Sequence, residues 1–168
     1  SKQDNVFRGG FRDLLNLEHD RTVRAITSRV DLGTALEDQA ARVDHDDASV
    51  AKAARFSSLG GYLFVALEGN REIAVIDPWS ALELGRFDTG RAPHGLALSP
   101  DGSTLYVDEF MDRSVSIYDL SPLLDYGDTM LVATATVPKV GAEVLPPDVL
   151  LGKQHFYDAA DPRLAFQS

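Results

Sequence analysis

Cysteine is missing from all 168 residues. Its absence excludes disulfides, thiolate metal ligands, a cysteine nucleophile and covalent attachment of a c-type haem within this sequence. It does not settle the compartment, because a thiol-free chain suits cytosol, periplasm and medium alike. Basic side chains are also scarce: 16 Lys and Arg against 26 Asp and Glu leave a formal net charge of −10. So negative an average surface suits neither a broad nucleic-acid footprint nor an anionic membrane, and no nucleic-acid partner is expected. No run approaches the ~20 apolar residues of a membrane-spanning helix, so no such segment is expected either. Behind Ser1-Lys2-Gln3-Asp4 there is no apolar signal segment; either the protein is not exported or its signal lies outside this sequence. Neither end carries an obvious capping element, which reads as a fragment of something larger.

Chemical motifs are equally thin. There is no His-Glu-x-x-His, no Gly-x-Ser-x-Gly elbow and no phosphate-cradling glycine loop ahead of a lysine. Gly9-Gly10 and Gly60-Gly61 serve better as turns. No catalytic residue and no resident cofactor are read in this segment. The local metal candidate is Asp44-His45-Asp46-Asp47: carboxylates suit Ca²⁺ or Mg²⁺, whereas imidazole favours a transition metal. Four adjacent residues converge on one ion with difficulty, so a solvated acidic loop is the plainer reading.

What the sequence does contain is an internal repeat. Residues 57–77 align with residues 99–119 at an offset of 42. Tyr62-Leu63-Phe64-Val65 falls on Thr104-Leu105-Tyr106-Val107, and Glu72–Asp77 falls on Ser114–Asp119. The polar turns between them match too, with Asn70-Arg71 on Asp112-Arg113. A 42-residue period lies in the range of a four-stranded propeller blade. The expected strands of the first unit are Ala51–Phe56, Tyr62–Leu67, Glu72–Asp77 and Leu82–Phe87. Those of the second are Gly95–Ser99, Leu105–Asp108, Ser114–Asp119 and Leu131–Val137, with Pro100-Asp101-Gly102-Ser103 as a turn. A pair of similar hairpins in another all-β fold is the competing reading, and the matched turns weigh against it.

The expected class is therefore all-β: a β-propeller fragment with two four-stranded blades and part of a third. Residues 1–49 form the partial preceding blade, with Thr22–Asp31 as its third strand and an acidic insertion at Gly33–Asp47 carrying a short helix around Ala35–Ala41. The blades are 50–91 and 92–137, with Pro122–Leu124 leaving the blade edge and Asp125–Thr129 in a loop. Residues 138–168 are a linker, where Pro146-Pro147 disfavours a helix interior or central strand. Asp31, Asp77 and Asp119 end equivalent strands and are expected to accept hydrogen bonds from nearby backbone donors. His94, Trp79, Arg71 and Arg113 make up the candidate binding surface. His94 precedes an inner strand, Trp79 follows Asp77-Pro78, and the two arginines occupy repeated turn positions. His19 and His45 fall in acidic or polar loops, and Asn5, Arg8 and Arg12 could extend toward another domain. A blade cannot bury both faces alone, so further blades or another copy are expected partners.

Two resemblances refine this reading. Ala92-Pro93-His94-Gly95-Leu96-Ala97-Leu98-Ser99-Pro100-Asp101-Gly102-Ser103-Thr104-Leu105-Tyr106-Val107, continued by Ser114–Asp119, resembles the repeat of surface-layer or YVTN-type propellers over roughly residues 50–120. Departures are Ser58-Leu59-Gly60-Gly61 at the first turn and Asp108 where that family often has Ala. Leu151-Gly152-Lys153-Gln154-His155-Phe156-Tyr157-Asp158 with Asp161-Pro162-Arg163-Leu164-Ala165 resembles the opening of dihaem cytochrome c peroxidases and their MauG-like relatives. That second resemblance implies a redox parent protein, exported to the periplasm or cell exterior, with haem c in a domain beyond this sequence. The propeller would then be its scaffold or docking surface. The first resemblance alone implies a non-enzymatic binding or adhesion module.

Overall fold

The computed structural model describes residues 2–4 and 23–160. His19, Asn5, Arg8, Arg12, Gly9-Gly10 and Asp161–Ala165 lie outside the described residues. Three antiparallel sheets follow one another along the chain. The first joins β1 (Lys2–Asp4), β2 (Val23–Asp31) and β3 (Leu36–His45) in that order. The second is the meander β4 (Ala51–Phe56), β5 (Leu63–Leu67), β6 (Glu72–Asp77) and β7 (Leu82–Asp88). The third runs β8 (Pro93–Leu98), β9 (Thr104–Glu109), β10 (Ser114–Asp119) and β11 (Ala133–Pro138). The first strands of the two meanders, β4 and β8, are neighbours across the sheet boundary. Two helices are added: α1 (Ser121–Tyr126), between β10 and β11, and α2 (Pro147–Tyr157), after β11.

Burial explains the texture of the strands. The middle sheet has a neighbour on each side, so all five residues of β5 are buried. Phe64, Ala66, Ile73, Val75 and Phe87 pack against Leu105, Val107, Tyr118, Leu120, Leu123 and Leu131 of the third sheet. Leu63, Val65, Leu67, Ala74 and Ile76 face the first sheet with Ala25 and Val43. A strand covered on both faces reads as an unbroken apolar run. In the third sheet β10 alternates: Ser114, Ser116 and Tyr118 are buried against the second sheet, while the apolar Val115 and Ile117 are half-buried on the opposite face. The Tyr118 ring packs 4.9 Å from that of Phe87, and its hydroxyl donates to the Asp88 carbonyl at 3.0 Å. Burial pushes the Tyr118 hydroxyl pKa well above its ordinary value.

The three strand-ending aspartates behave alike. Asp31 accepts the amides of Gly33 and Thr34, Asp77 that of Trp79, and Asp119 that of Ser121. A side-chain hydroxyl joins each: Thr34, Ser80 and Ser121. Hydrogen bonding to the charged form holds all three carboxyls below the ordinary 3.8; the leading donors are the Thr34 amide, the Ser80 hydroxyl and the Ser121 amide respectively. A depressed carboxyl stabilises the fold above its unfolded pKa and loses that contribution as pH falls through the folded value. The urea midpoint of Asp77→Ala is therefore expected to lie below that of the native protein at neutral pH. The gap should close well below pH 3.8; a gap that stays constant with pH would rule out this role.

Two expectations about irregular segments require correction. Gly33–Asp47 is not an insertion, and Ala35–Ala41 holds no helix: Leu36–His45 is the edge strand β3, paired with β2 from Asp31↔Leu36 to Ala25↔His45. Leu-Glu-Asp-Gln-Ala-Ala favours a helix locally, but ladder pairing and the burial of Val43 and His45 override that preference. Ala35, at φ 56°, closes the turn between the strands. Pro122–Leu124 is part of α1, whose Leu123 is buried in the core. After Pro138, in the stretch read as a linker or domain entry, α2 begins at Pro147, the helix position that tolerates a missing amide.

Candidate functional site

Chain direction gives the sheets two ends. One carries the β5–β6 and β9–β10 turns, the links into β4 and β8, and the segment that follows β11. The β5–β6 turn is a short 3₁₀ stretch, Glu68–Asn70, ending at Arg71 with φ 58°. The β9–β10 turn ends at Arg113 with φ 53°. The preceding residues also correspond. The Asn70 side chain accepts the Ser49 amide at 3.1 Å and donates to the Asp47 carbonyl. Asp112 accepts the Arg91 amide at 2.6 Å and its guanidinium at 3.0 Å. Each turn thus ties down the link entering its own sheet.

The repeated arginines hold something else. Arg71 pairs in bidentate fashion with Asp158, and Arg91 approaches the same carboxylate at 3.5 Å. Arg113 pairs with Glu143 at 3.0 Å. Lys139 pairs with Asp108, and its amide donates to the Arg113 carbonyl at 2.7 Å. The Ala160 amide donates to the Gly69 carbonyl at 3.1 Å. A Cβ at Gly69 would collide with Ser49 Oγ, so a side chain there would require the Ser49 hydroxyl to turn away. Residues 139–160 are therefore strapped across the loop end of the blades by ion pairs from successive repeats.

Between the turns and this strap lies His94, early in β8. The equivalent turn positions 68 and 110 differ, and both differing residues close on its ring. Glu68 Oε1 is 2.8 Å from His94 Nε2. Phe110 stacks on the imidazole at 4.9 Å between centroids and 28° between planes. The Glu68–His94 contact has ion-pair distance without hydrogen-bond alignment, and both atoms are shut off from solvent. We take it as a close electrostatic contact that leaves acceptor capacity on Oε1 unused. On the strap side, Lys153 Nζ sits 4.7 Å from the Phe110 centroid and Tyr157 meets that ring edge-on at 5.7 Å.

Of the candidate surface residues, His94, Arg71 and Arg113 share this end. Trp79 lies at the other, in the β6–β7 turn, 83% exposed. Leu59 and Leu32, at neighbouring turns of that end, are also exposed. The four residues of the metal candidate do not converge. Strand alternation turns His45 inward and its neighbours Asp44 and Asp46 outward. Among the described residues no group of three or more His, Asp or Glu is placed to hold an ion.

His45 is wholly buried and belongs to a network joining the first two sheets. Its Nδ1 donates to Glu83 Oε2 at 2.8 Å, and Nε2 lies 2.8 Å from the Thr27 hydroxyl. Arg86 donates to Glu83 Oε1 at 2.5 Å, to Glu72 at 3.1 Å and to the Asp46 carbonyl at 2.9 Å. Burial pushes the Glu83 carboxyl up, but hydrogen bonds from His45 and Arg86 outweigh it and leave the pKa below its ordinary value.

No protein-family model matches the sequence, and no curated protein matches it. Solved structures do. Hydrazine synthase of Kuenenia stuttgartiensis is similar with a TM-score of 0.54 at 21% identity, covering 71% of this chain and 35% of that one. A candidate 6-phosphogluconolactonase of Bacteroides fragilis gives 0.55 at 17%, over 70% and 36%. Another from Bacteroides uniformis gives 0.53 at 19%, over 69% and 35%. The chain spans about a third of the length of the solved structures it matches. At these identities the likeness concerns the fold: three successive antiparallel sheets that form part of a β-propeller.

Proposed function

We propose that this propeller segment is the scaffold of a larger exported redox protein and docks a c-type haem domain through α2. One observation carries the reading. The residues that resemble the opening of a dihaem peroxidase, Leu151–Asp158, are seated on the blades rather than trailing from them. Lys153 and Tyr157 contact Phe110, and Asp158 lies in the grip of Arg71. A domain continuing from this point would leave the propeller in a fixed direction. Haem attachment would fall in that domain, since this sequence has no cysteine. The haem would supply the redox chemistry, and these residues would orient its domain. Further blades, or another copy, would cover the open face of the third sheet, where Tyr106 and Val137 are exposed. No helix among the described residues is long and apolar enough to cross a membrane.

The test is expression of the natural full-length reading frame in a host that matures c-type cytochromes. Covalent haem in the product, mapped to a Cys-x-x-Cys-His beyond residue 168, is the expected result. A full-length protein without such a motif and without covalent haem would overturn the proposal. A non-enzymatic binding or adhesion propeller is then the second reading. The exposed tips Leu32, Leu59 and Trp79 at the opposite end favour it, as apolar groups available to a partner.

A further inference from the structure

We infer that Glu68, His94 and Phe110 form a recognition site for a lysine side chain of a partner protein, and that Lys153 of α2 occupies it intramolecularly. The inference is independent of whether a haem domain follows. It begins from the repeat. The β5–β6 and β9–β10 turns match at 70/112 and at 71/113 and use those residues to hold backbone and strap. They differ at 68/110 and 69/111, and the first of these pairs meets on a histidine of the third sheet. Structural repetition does not require that constellation.

Its chemistry suits an ammonium group on a flexible stem. The Glu68 side chain is 8% exposed and its Oε1 lacks an aligned hydrogen-bond donor. A buried carboxylate with unused acceptor capacity favours a cation. The Phe110 face adds the attraction of an aromatic quadrupole for positive charge. Lys153 shows that an ammonium reaches this ring, at 4.7 Å. The nearby arginines do not compete, because Arg71, Arg91 and Arg113 are paired with Asp158, Asp112 and Glu143. With a net charge of −10 the molecule as a whole attracts a basic partner.

The occupant is displaceable. No residue of α2 is buried, so the helix covers the site through ring and charge contacts at its rim rather than by an apolar anchor. A self-occupied site binds an outside ligand more weakly by the fraction of time it stands open.

Ligand-detected NMR titration of the natural full-length protein with the peptide Gly-Gly-Lys-Gly-Gly tests this. The native protein is compared with a Lys153→Ala/Tyr157→Ala variant, with and without Glu68→Gln. Amide exchange checks that the sheets remain protected in each variant. The double variant should bind the lysine peptide at least tenfold more tightly than the native protein. Glu68→Gln should cancel that gain, and the norleucine counterpart of the peptide should not bind. Failure of the double variant to bind, equal affinity of the native protein, or equal binding of the norleucine peptide would each overturn the inference.

Discussion

Replacing His45 with alanine is expected to cost about 3–5 kcal/mol of stability, enough to consume a large part of a small domain's margin. His45 is wholly buried and bridges Thr27 in β2 to Glu83 in β7. Its loss leaves a cavity, an unpaired Thr27 hydroxyl and a half-buried Glu83 carboxylate held by Arg86 alone. An asparagine reaches one partner at most, so His45→Asn should fall between alanine and the native protein. Because the network joins two sheets, the damage should appear as loss of cooperativity between them. Urea unfolding followed by tryptophan fluorescence and by far-ultraviolet circular dichroism measures both effects. The sole tryptophan, Trp79, reports on the second sheet. A midpoint within experimental error of the native value would remove His45 from any structural role.

Asp158→Ala should release the strap while leaving the blades folded. Asp158 is 2% exposed, is held in bidentate fashion by Arg71 and is approached by Arg91. Breaking a buried pair costs roughly 3–5 kcal/mol, and Arg71 is partly open to water, so about 3 kcal/mol is expected here. That corresponds to roughly a hundredfold loss of amide protection in a segment that opens locally. Exchange should accelerate over residues 147–160 and stay unchanged in β5 and β6. Arg71→Lys should give a smaller loss, because an ammonium keeps the charge but not the two parallel hydrogen bonds. Arg113→Ala should act nearer residue 143, through Glu143. If all three variants exchange like the native protein, the strap is held by something other than these pairs.

The redox reading and the strap are linked through these same residues. A haem domain tethered by a loose tail would sample many orientations, whereas one leaving from a clamped α2 would not. The Asp158→Ala variant of the full-length protein therefore separates scaffold from mere tether: covalent haem should persist while the fixed orientation is lost.

Much of the architecture is legible in the sequence because it depends on neighbours along the chain. The 42-residue offset, the turns at Asn70-Arg71 and Asp112-Arg113, and the aspartates that close β2, β6 and β10 all follow from period-two patterning and local turn chemistry. The apolar run Leu63–Leu67 likewise announces a strand buried on both faces. The fate of Ala35–Ala41 is not, since its residues favour a helix and only pairing with β2 makes them a strand. Nor does the acidic run announce that His45 points inward, which depends on strand parity after the irregularity between Thr27 and Arg29.

The end that carries the candidate site was the least legible. The repeat singled out Arg71, Arg113 and His94, but their partners Asp158, Glu143 and Glu68 are joined to them only through space. Arg71 and Asp158 are 87 residues apart. One signal, the mismatch of Glu68 with Phe110 in turns that agree at 70/112 and 71/113, acquires meaning only when the two meet on His94. Sequence alone determined the strands and turns of the two repeat units and the absence of any thiol chemistry, because each is a property of short stretches of chain. Tertiary structure alone decided which charges pair, which histidine is buried and that the last helix folds back onto the blades, because those depend on residues brought together by the stacking of sheets.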